Sequence, residues 1–292
     1  MFKGSIVALV TPFKGDQIDE NAYAKLVDWQ IAQGSSGIVP CGTTGESPTL
    51  SPDEHSRVIE VCIAAVRKRV PVIAGTGSNS TAEAVHMTKH AAKAGADGVL
   101  VVTPYYNKPT NKGVYLHFKA VAESVKIPVI LYNIAGRTGK NIEPDVMAKL
   151  AHDCKNIVAV KEASGSLEQM KRIKELCPKD FILLSGDDGL ILPVMALGGT
   201  GVISVAANII PKDTSALVDA VAKKDMKMAE AINAKFQPLV SVLFIETNPI
   251  PVKTAMALMG LCNGSLRLPM CEMEEANLAK LKQALKTYGL LK

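Results

Sequence analysis

Eight short runs of β-branched and aliphatic residues punctuate the first two-thirds of the chain, at 5–11, 37–43, 70–76, 98–103, 128–133, 157–162, 181–187 and 202–206. They are apolar almost without a break, the pattern of strands covered on both faces in a parallel sheet. Most close on Gly, Thr, Ser, Asn or Asp. Between them the spacing becomes that of helices with one apolar face, at 20–33, 52–67, 81–94, 112–124, 144–152, 167–176 and 189–197. Eight strand-then-helix units predict an α/β fold closed into a (β/α)8 TIM barrel. An open doubly wound sheet is the alternative, and the even spacing favours closure. Beyond Pro211 only helical patterns remain, at 213–223, 226–244, 252–259 and 272–288. The chain therefore divides into a barrel over 1–224 and a small C-terminal helical domain over 225–292. Asn248-Pro249-Ile250-Pro251 predicts an extended elbow between two of the last helices.

One run breaks its own pattern. In Ile157-Val158-Ala159-Val160-Lys161-Glu162 a lysine stands where another apolar residue is expected. A buried ammonium is costly unless it is paired or gives up its proton. A free amine at a strand end attacks carbonyl carbon and forms a Schiff base. The competing reading is a terminal lysine that snorkels to solvent.

Composition narrows the classes without choosing among them. With 48% hydrophobic and 21% charged residues in 292, the chain has the make-up of a globular protein with a large core. No apolar run reaches the ~20 residues of a membrane-spanning helix. Residues 6–10 are too short for the core of a secretion signal, so a cytoplasmic protein is expected. The net charge of +5 is spread among acids, and aromatics are only 4%, which argues against nucleic acid as a partner. Six cysteines form no C-x-x-C pair, and most are expected to be small buried hydrophobes. His86 and His90 lie four apart but outside an H-E-x-x-H frame and on a polar stripe, so no metal site is expected. Gly75-Thr76-Gly77 lacks the rest of a phosphate loop and reads as a strand-end turn.

A barrel of this kind carries its chemistry at the C-terminal ends of its strands. Those ends gather Gly42-Thr43-Thr44-Gly45-Glu46-Ser47, Thr103-Pro104-Tyr105-Tyr106-Asn107, Tyr132-Asn133 with Gly136-Arg137-Thr138-Gly139, Lys161-Glu162, Ser185-Gly186-Asp187-Asp188 and Ile203-Ser204. Lys161 thus shares a rim with tyrosines, hydroxyls, an arginine and glycine-rich turns. Gly42–Glu46, Tyr132-Asn133, Arg137-Thr138-Gly139, Lys161–Gly165 and the tail Asn248–Lys253 resemble the signatures of the pyruvate-dependent class I aldolase family, to which N-acetylneuraminate lyase belongs. The similarity runs from Gly4 to the C-terminus. Arg137 and Tyr105-Tyr106-Asn107-Lys108-Pro109 are most similar to the branch that condenses pyruvate with L-aspartate-4-semialdehyde.

The resemblance implies a cofactor-free and metal-free lyase of lysine and diaminopimelate biosynthesis. Lys161 would form the imine with pyruvate, with Tyr132 as acid and base and Thr43 and Tyr106 relaying protons. Thr44, Gly186 and the Ile203 carbonyl would line the pyruvate site, and Arg137 would hold the carboxylate of the second substrate, as a guanidinium fork suits. Tyr105 and Tyr106 are successive, so in an extended segment their rings point opposite ways. Tyr106 is therefore expected to reach a second subunit, within a homotetramer built as a dimer of dimers. Ser47, His55, Asn79, Glu83 and Tyr105 match positions lining a site for the effector lysine, although Pro48 and Pro52 depart from that pattern. Two rival functions remain at this point. A sibling aldolase would cleave a sugar acid, which Arg137 disfavours, and a non-catalytic sensor barrel would bind pyruvate without turning it over.

Overall fold

The computed structural model describes residues 2–292. Eight parallel strands make the central sheet among the described residues: β1 (Gly4–Ala8), β2 (Gly37–Val39), β3 (Ile73–Gly75), β4 (Gly98–Val102), β5 (Val129–Asn133), β6 (Ile157–Glu162), β7 (Ile182–Ser185) and β8 (Gly201–Ser204). Neighbours pair in the order β2-β1-β8-β7-β6-β5-β4-β3. The two ends then meet through a bridge between Ile38 and Val72, which closes the barrel. Beside that seam the Gly75 N–H donates to the Pro40 carbonyl at 2.9 Å. A Cβ on Gly75 would lie 2.2 Å from the Cys41 carbonyl oxygen, so only glycine permits this approach.

The unbroken apolar runs of the sequence have a plain cause. Each strand buries alternate residues in two layers. Ile6, Ile73, Leu100, Ile130, Ala159, Leu184 and Ile203 fill the barrel interior. Val7, Ile38, Val99, Leu131, Val160, Leu183 and Val202 face the helices outside. That outer shell is α1 (Glu20–Ala32), α2 (Pro52–Val66), α3 (Thr81–Ala94), α4 (Asn111–Glu123), α5 (Pro144–Asp153), α6 (Leu167–Leu176), α7 (Ile191–Ala196) and α8 (Pro211–Ala222). Several of their starts are marked by side-chain caps: Ser51 and Glu54 form a reciprocal capping box on α2, and Thr110 and Ser166 cap α4 and α6.

The strands are shorter than the apolar runs suggest. The second stops at Val39, because Pro40 has no N–H for the ladder and Cys41 turns left-handed at φ 54°. A two-residue-per-strand hairpin, Phe13–Lys14 with Gln17–Ile18, follows β1 and was not legible as a strand pair. The stretch 136–139 is a helical turn, Ala135–Thr138, rather than an open glycine loop.

Three further helices, α9 (Met226–Leu243), α10 (Ile250–Leu258) and α11 (Glu275–Tyr288), complete the chain. The expected extended elbow at 248–251 is corrected. Asn248–Pro249 is a cis peptide and α10 already begins at Ile250, with Pro251 in its first turn, where its missing N–H is not needed. Phe236, Leu239, Val252, Met256, Leu281 and Leu285 from these helices join the same buried cluster as the barrel's outer layer.

A buried ion pair fastens this segment to the rim. Lys253 on α10, fully buried, donates to the equally buried Glu46 carboxylate on the loop after β2. Burial pushes the Lys253 pKa down and the Glu46 charge opposes that push. Glu46 also accepts from the Arg267 N–H at 3.1 Å, and the Phe13 ring lies between Lys253 Nζ at 4.1 Å and the Arg267 guanidinium at 4.3 Å. Removing one partner of such a pair strands the other charge. Lys253→Met should therefore lower the unfolding free energy by about 3–5 kcal/mol, while Glu46→Gln added to it should restore part of that loss. Guanidinium unfolding followed by circular dichroism measures both. A loss below about 1 kcal/mol for the single variant, the scale of an exposed pair, would contradict this account.

Candidate active site

Lys161 owes its direction to one extra residue. Between β5 and β6, Val129 stands opposite Ile157 while Ile130 stands opposite Ala159, so Val158 is a bulge. Ile157 packs in the outer layer and Ala159 inside the barrel, although residues two apart in a regular strand share a face. The bulge shifts the phase of everything after it. Lys161 follows Ala159 inward, and Glu162 follows Val160 outward. Without the bulge, Lys161 would point into the helical layer.

Tyr132 sits directly across from Lys161 in register, and the Lys161 Nζ lies 4.3 Å from the centre of its ring. Both side chains are buried, Lys161 at 5% and Tyr132 at 6% exposure. Lys161 has no ion-pair partner among the described residues, unlike the equally deep Lys253. Room for the lysine stem comes from Gly186 at the end of β7. A Cβ there would lie 3.1 Å from Lys161 Cγ and 2.6 Å from the Ala163 Cβ. The Lys161 side chain is thus held over a phenol ring with no carboxylate to pair it among the described residues.

The outward residues of the same strand ends build the support. Glu162 accepts from Asn133 Nδ2 at 3.1 Å, from the Ser164 N–H at 2.8 Å and from Gln169 Nε2 at 3.0 Å. Burial raises its pKa and these donors counteract the rise. At the end of β8, Asp188 accepts from Ser204 Oγ at 2.5 Å and from the Val205 and Ala206 N–H groups, both at 2.9 Å. Burial raises its pKa too, opposed by the same hydrogen bonds. Asp188 thereby pins the strand end that carries Ile203, whose side chain lies inside the barrel.

On the loop after β2, Thr43 is half-buried and Thr44 buried. Thr44 Oγ1 accepts from Asn248 Nδ2 at 3.0 Å. Arg137 is exposed on the Ala135–Thr138 turn, and its Nη2 donates to the Asn248 carbonyl at 3.1 Å. The segment around Tyr106 is not extended as expected. Tyr106 is left-handed at φ 71°, and the Asn107 N–H folds back on the Tyr105 carbonyl at 2.8 Å. The turn leaves the Tyr106 ring 89% exposed, outside the mouth of its own barrel. No hydrogen bond among the described residues joins Thr43, Tyr132 and Tyr106, so the expected relay is not closed within one chain.

The residues expected to line an effector site fall around the adjacent rim. His55 is buried at 5% exposure, and burial lowers its pKa to about 4, so it is neutral at pH 7. Ser78 donates to the Glu83 carboxylate, and Asn107 Nδ2 donates to the Asn79 carbonyl at 2.9 Å, which links this region to Tyr105. Ser47 opens a short 3-10 turn on the loop that bears Thr44. A separate cleft of about 780 Å³ at the opposite end of the barrel, beside Lys3, Asp97, Asp180 and Asp219, brings together none of the expected site residues.

All six cysteines are free and four are buried. No group of His, Cys, Asp and Glu able to hold a metal ion exists among the described residues. Asn248, Glu162 and Asp188 were not singled out from the sequence as site residues. The partners of Asn248 lie far away in the chain, whereas those of Glu162 and Asp188 come from nearby loops and neighbouring strands.

Comparison with known proteins is consistent across the chain. The model of the dihydrodipicolinate synthetase family matches residues 1–288. A protein of Syntrophus aciditrophicus named 4-hydroxy-tetrahydrodipicolinate synthase is 60% identical over 291 residues, spanning 100% of both chains. The crystal structure of dihydrodipicolinate synthase from Aquifex aeolicus superposes with a TM-score of 0.98 at 50% identity and covers 99% of each chain. The chloride-inhibited dihydrodipicolinate synthase of Acinetobacter baumannii, solved with pyruvate, superposes with a TM-score of 0.97 at 46% identity over 100% of both. With a family model spanning nearly the whole chain and relatives of this identity, the chain belongs to the dihydrodipicolinate synthetase family.

Proposed function

We propose that this barrel joins pyruvate to L-aspartate-4-semialdehyde through an imine on Lys161, the lyase reaction of its named 4-hydroxy-tetrahydrodipicolinate synthase relatives in lysine and diaminopimelate biosynthesis. The observation that carries the reading is the buried Lys161 amine, 4.3 Å from the Tyr132 ring centre and free of any carboxylate partner among the described residues. The amine adds to the ketone carbon of pyruvate and water leaves, giving the imine. Loss of a methyl proton turns it into an enamine, whose carbon attacks the aldehyde of the second substrate. Tyr132 is the group placed to move these protons. Thr44 and Gly186 border the pyruvate end with the Ile203 carbonyl, and Arg137 faces the carboxylate of the aldehyde.

The exposed Tyr106 supports a site shared between subunits, in which it enters a neighbour's relay with Thr43 and Tyr132. We read the assembly as a dimer of dimers in the cytoplasm, with the barrel at 1–224 and the helical domain at 225–292. No described helix is long and apolar enough to cross a membrane. The residues Ser47, His55, Asn79, Glu83 and Tyr105 are read as a site for L-lysine, with the Glu83 carboxylate pairing its ammonium group.

Borohydride with pyruvate should add one reduced pyruvyl group per chain, located at Lys161 by peptide mass spectrometry. Lys161→Arg should give no adduct, because a guanidinium is not a nucleophile at neutral pH. An adduct on another lysine would refute the assignment. Arg137→Ala should keep the pyruvate adduct and lower kcat/KM for the aldehyde roughly 10- to 150-fold, the loss of a charge-assisted contact of about 1.5–3 kcal/mol. Equal loss of trapping would make Arg137 a structural residue. Calorimetric titration with L-lysine should give binding in the millimolar range that Glu83→Ala abolishes; no heat with the native protein would remove the effector reading.

A further inference from the structure

The C-terminal segment does more than cover the barrel, because one of its residues reaches both halves of the site. Asn248 is 5% exposed and lies between α9 and α10. Its side-chain amide donates to Thr44 Oγ1 at 3.0 Å, and its main-chain carbonyl accepts from Arg137 Nη2 at 3.1 Å. Its own side-chain oxygen is buried with no hydrogen-bond partner. An amide turned end for end would have given that oxygen the Thr44 proton. It would then have left the NH2 group unsatisfied instead, which is the rarer condition in folded proteins.

The orientation has a chemical consequence. A hydroxyl has one proton and two lone pairs. Because Thr44 Oγ1 receives the Asn248 proton on a lone pair, its own proton stays available, and it donates to no group among the described residues. We propose that Asn248 is a positioning residue: its amide fixes the Thr44 hydroxyl as a donor toward the pyruvate carboxylate, while its backbone sets the arginine clamp for the second carboxylate. This rests on the pyruvate reading above. It assigns the helical appendage a part in substrate binding, since the residue that polarises Thr44 lies 204 positions away from it.

The test uses the polarity of the side chain. Asn248→Ala removes the donor and leaves the Thr44 hydroxyl free to rotate. Asn248→Asp places an acceptor there, which takes the Thr44 proton and adds a negative charge near a carboxylate site. Pyruvate KM should rise roughly 10-fold in Asn248→Ala and further in Asn248→Asp, as expected for losing and then reversing a hydrogen bond at a charged group. Half-saturation of borohydride trapping by pyruvate should shift in parallel, with full adduct formed at saturating pyruvate in Asn248→Ala. In a Thr44→Val background, Asn248→Ala should change pyruvate KM less than about 2-fold, because the amide acts through that hydroxyl. Melting curves accompany each variant, and Asn248→Ser replaces any that does not fold. Pyruvate KM equal in the native, Ala and Asp proteins, or undiminished effects in the Thr44→Val background, would overturn the proposal. A native protein that forms no Lys161 adduct would overturn the pyruvate reading itself, a result distinct from either of those.

Discussion

The contact between Glu46 and Lys253 is the constraint on which the site depends. Glu46 has a left-handed backbone at φ 56° and follows Thr43 and Thr44 by only a few residues, so fixing its carboxylate fixes the loop that presents both hydroxyls. Two charges removed from water stabilise a fold only when each is fully answered. Here Lys253 answers one carboxylate oxygen and the Arg267 N–H the other, and the Phe13 ring centre lies 4.1 Å from Lys253 Nζ and 4.3 Å from the Arg267 guanidinium. Arg267 in turn pairs with both Glu54 oxygens, one of them at 2.7 Å, on the helix that follows the loop. The loop is therefore held from the hairpin, from α2 and from the C-terminal segment at once.

The same economy governs the other strand ends. Beside two of the strand ends stand buried acids that accept several donors each. Glu162 stands behind Lys161, and Asp188 stands behind Ile203 and Ser204. Neither acid bonds to Lys161 among the described residues. Their hydrogen bonds tie the strand tips to the segments around them, and a site needs its groups fixed to a fraction of an ångström. A buried carboxylate without those donors would be expelled or protonated. Glu162 and Asp188 therefore tie the strand tips through several donors each, and neither pairs with Lys161 among the described residues.

Much of this protein was legible in the sequence. The alternation of apolar runs and amphipathic stretches determined eight strand–helix units, because burial on two faces of a strand and on one face of a helix leaves different periods in the chain. A lone lysine inside an apolar run marked β6 as the strand to look at, because an unpaired charge is costly to bury. The strand-end hydroxyls, tyrosines and glycines could be placed on one rim, because the barrel puts every strand's C-terminal end on the same side.

What only the tertiary structure decided depends on distant partners or on register. The phase of Lys161 is set by pairing with β5, which creates the bulge at Val158; nothing in Ile157–Glu162 alone distinguishes inward from outward. The turn that exposes Tyr106 depends on a left-handed backbone that an X-Tyr-Tyr-Asn stretch does not announce. Asn248 and Lys253 look from the sequence like parts of a proline-rich elbow and a helix, and become site supports only when the chain's end returns to Thr44 and Glu46. A period is a local property and survives in the sequence, whereas a hydrogen bond across two hundred residues exists only after the chain has folded.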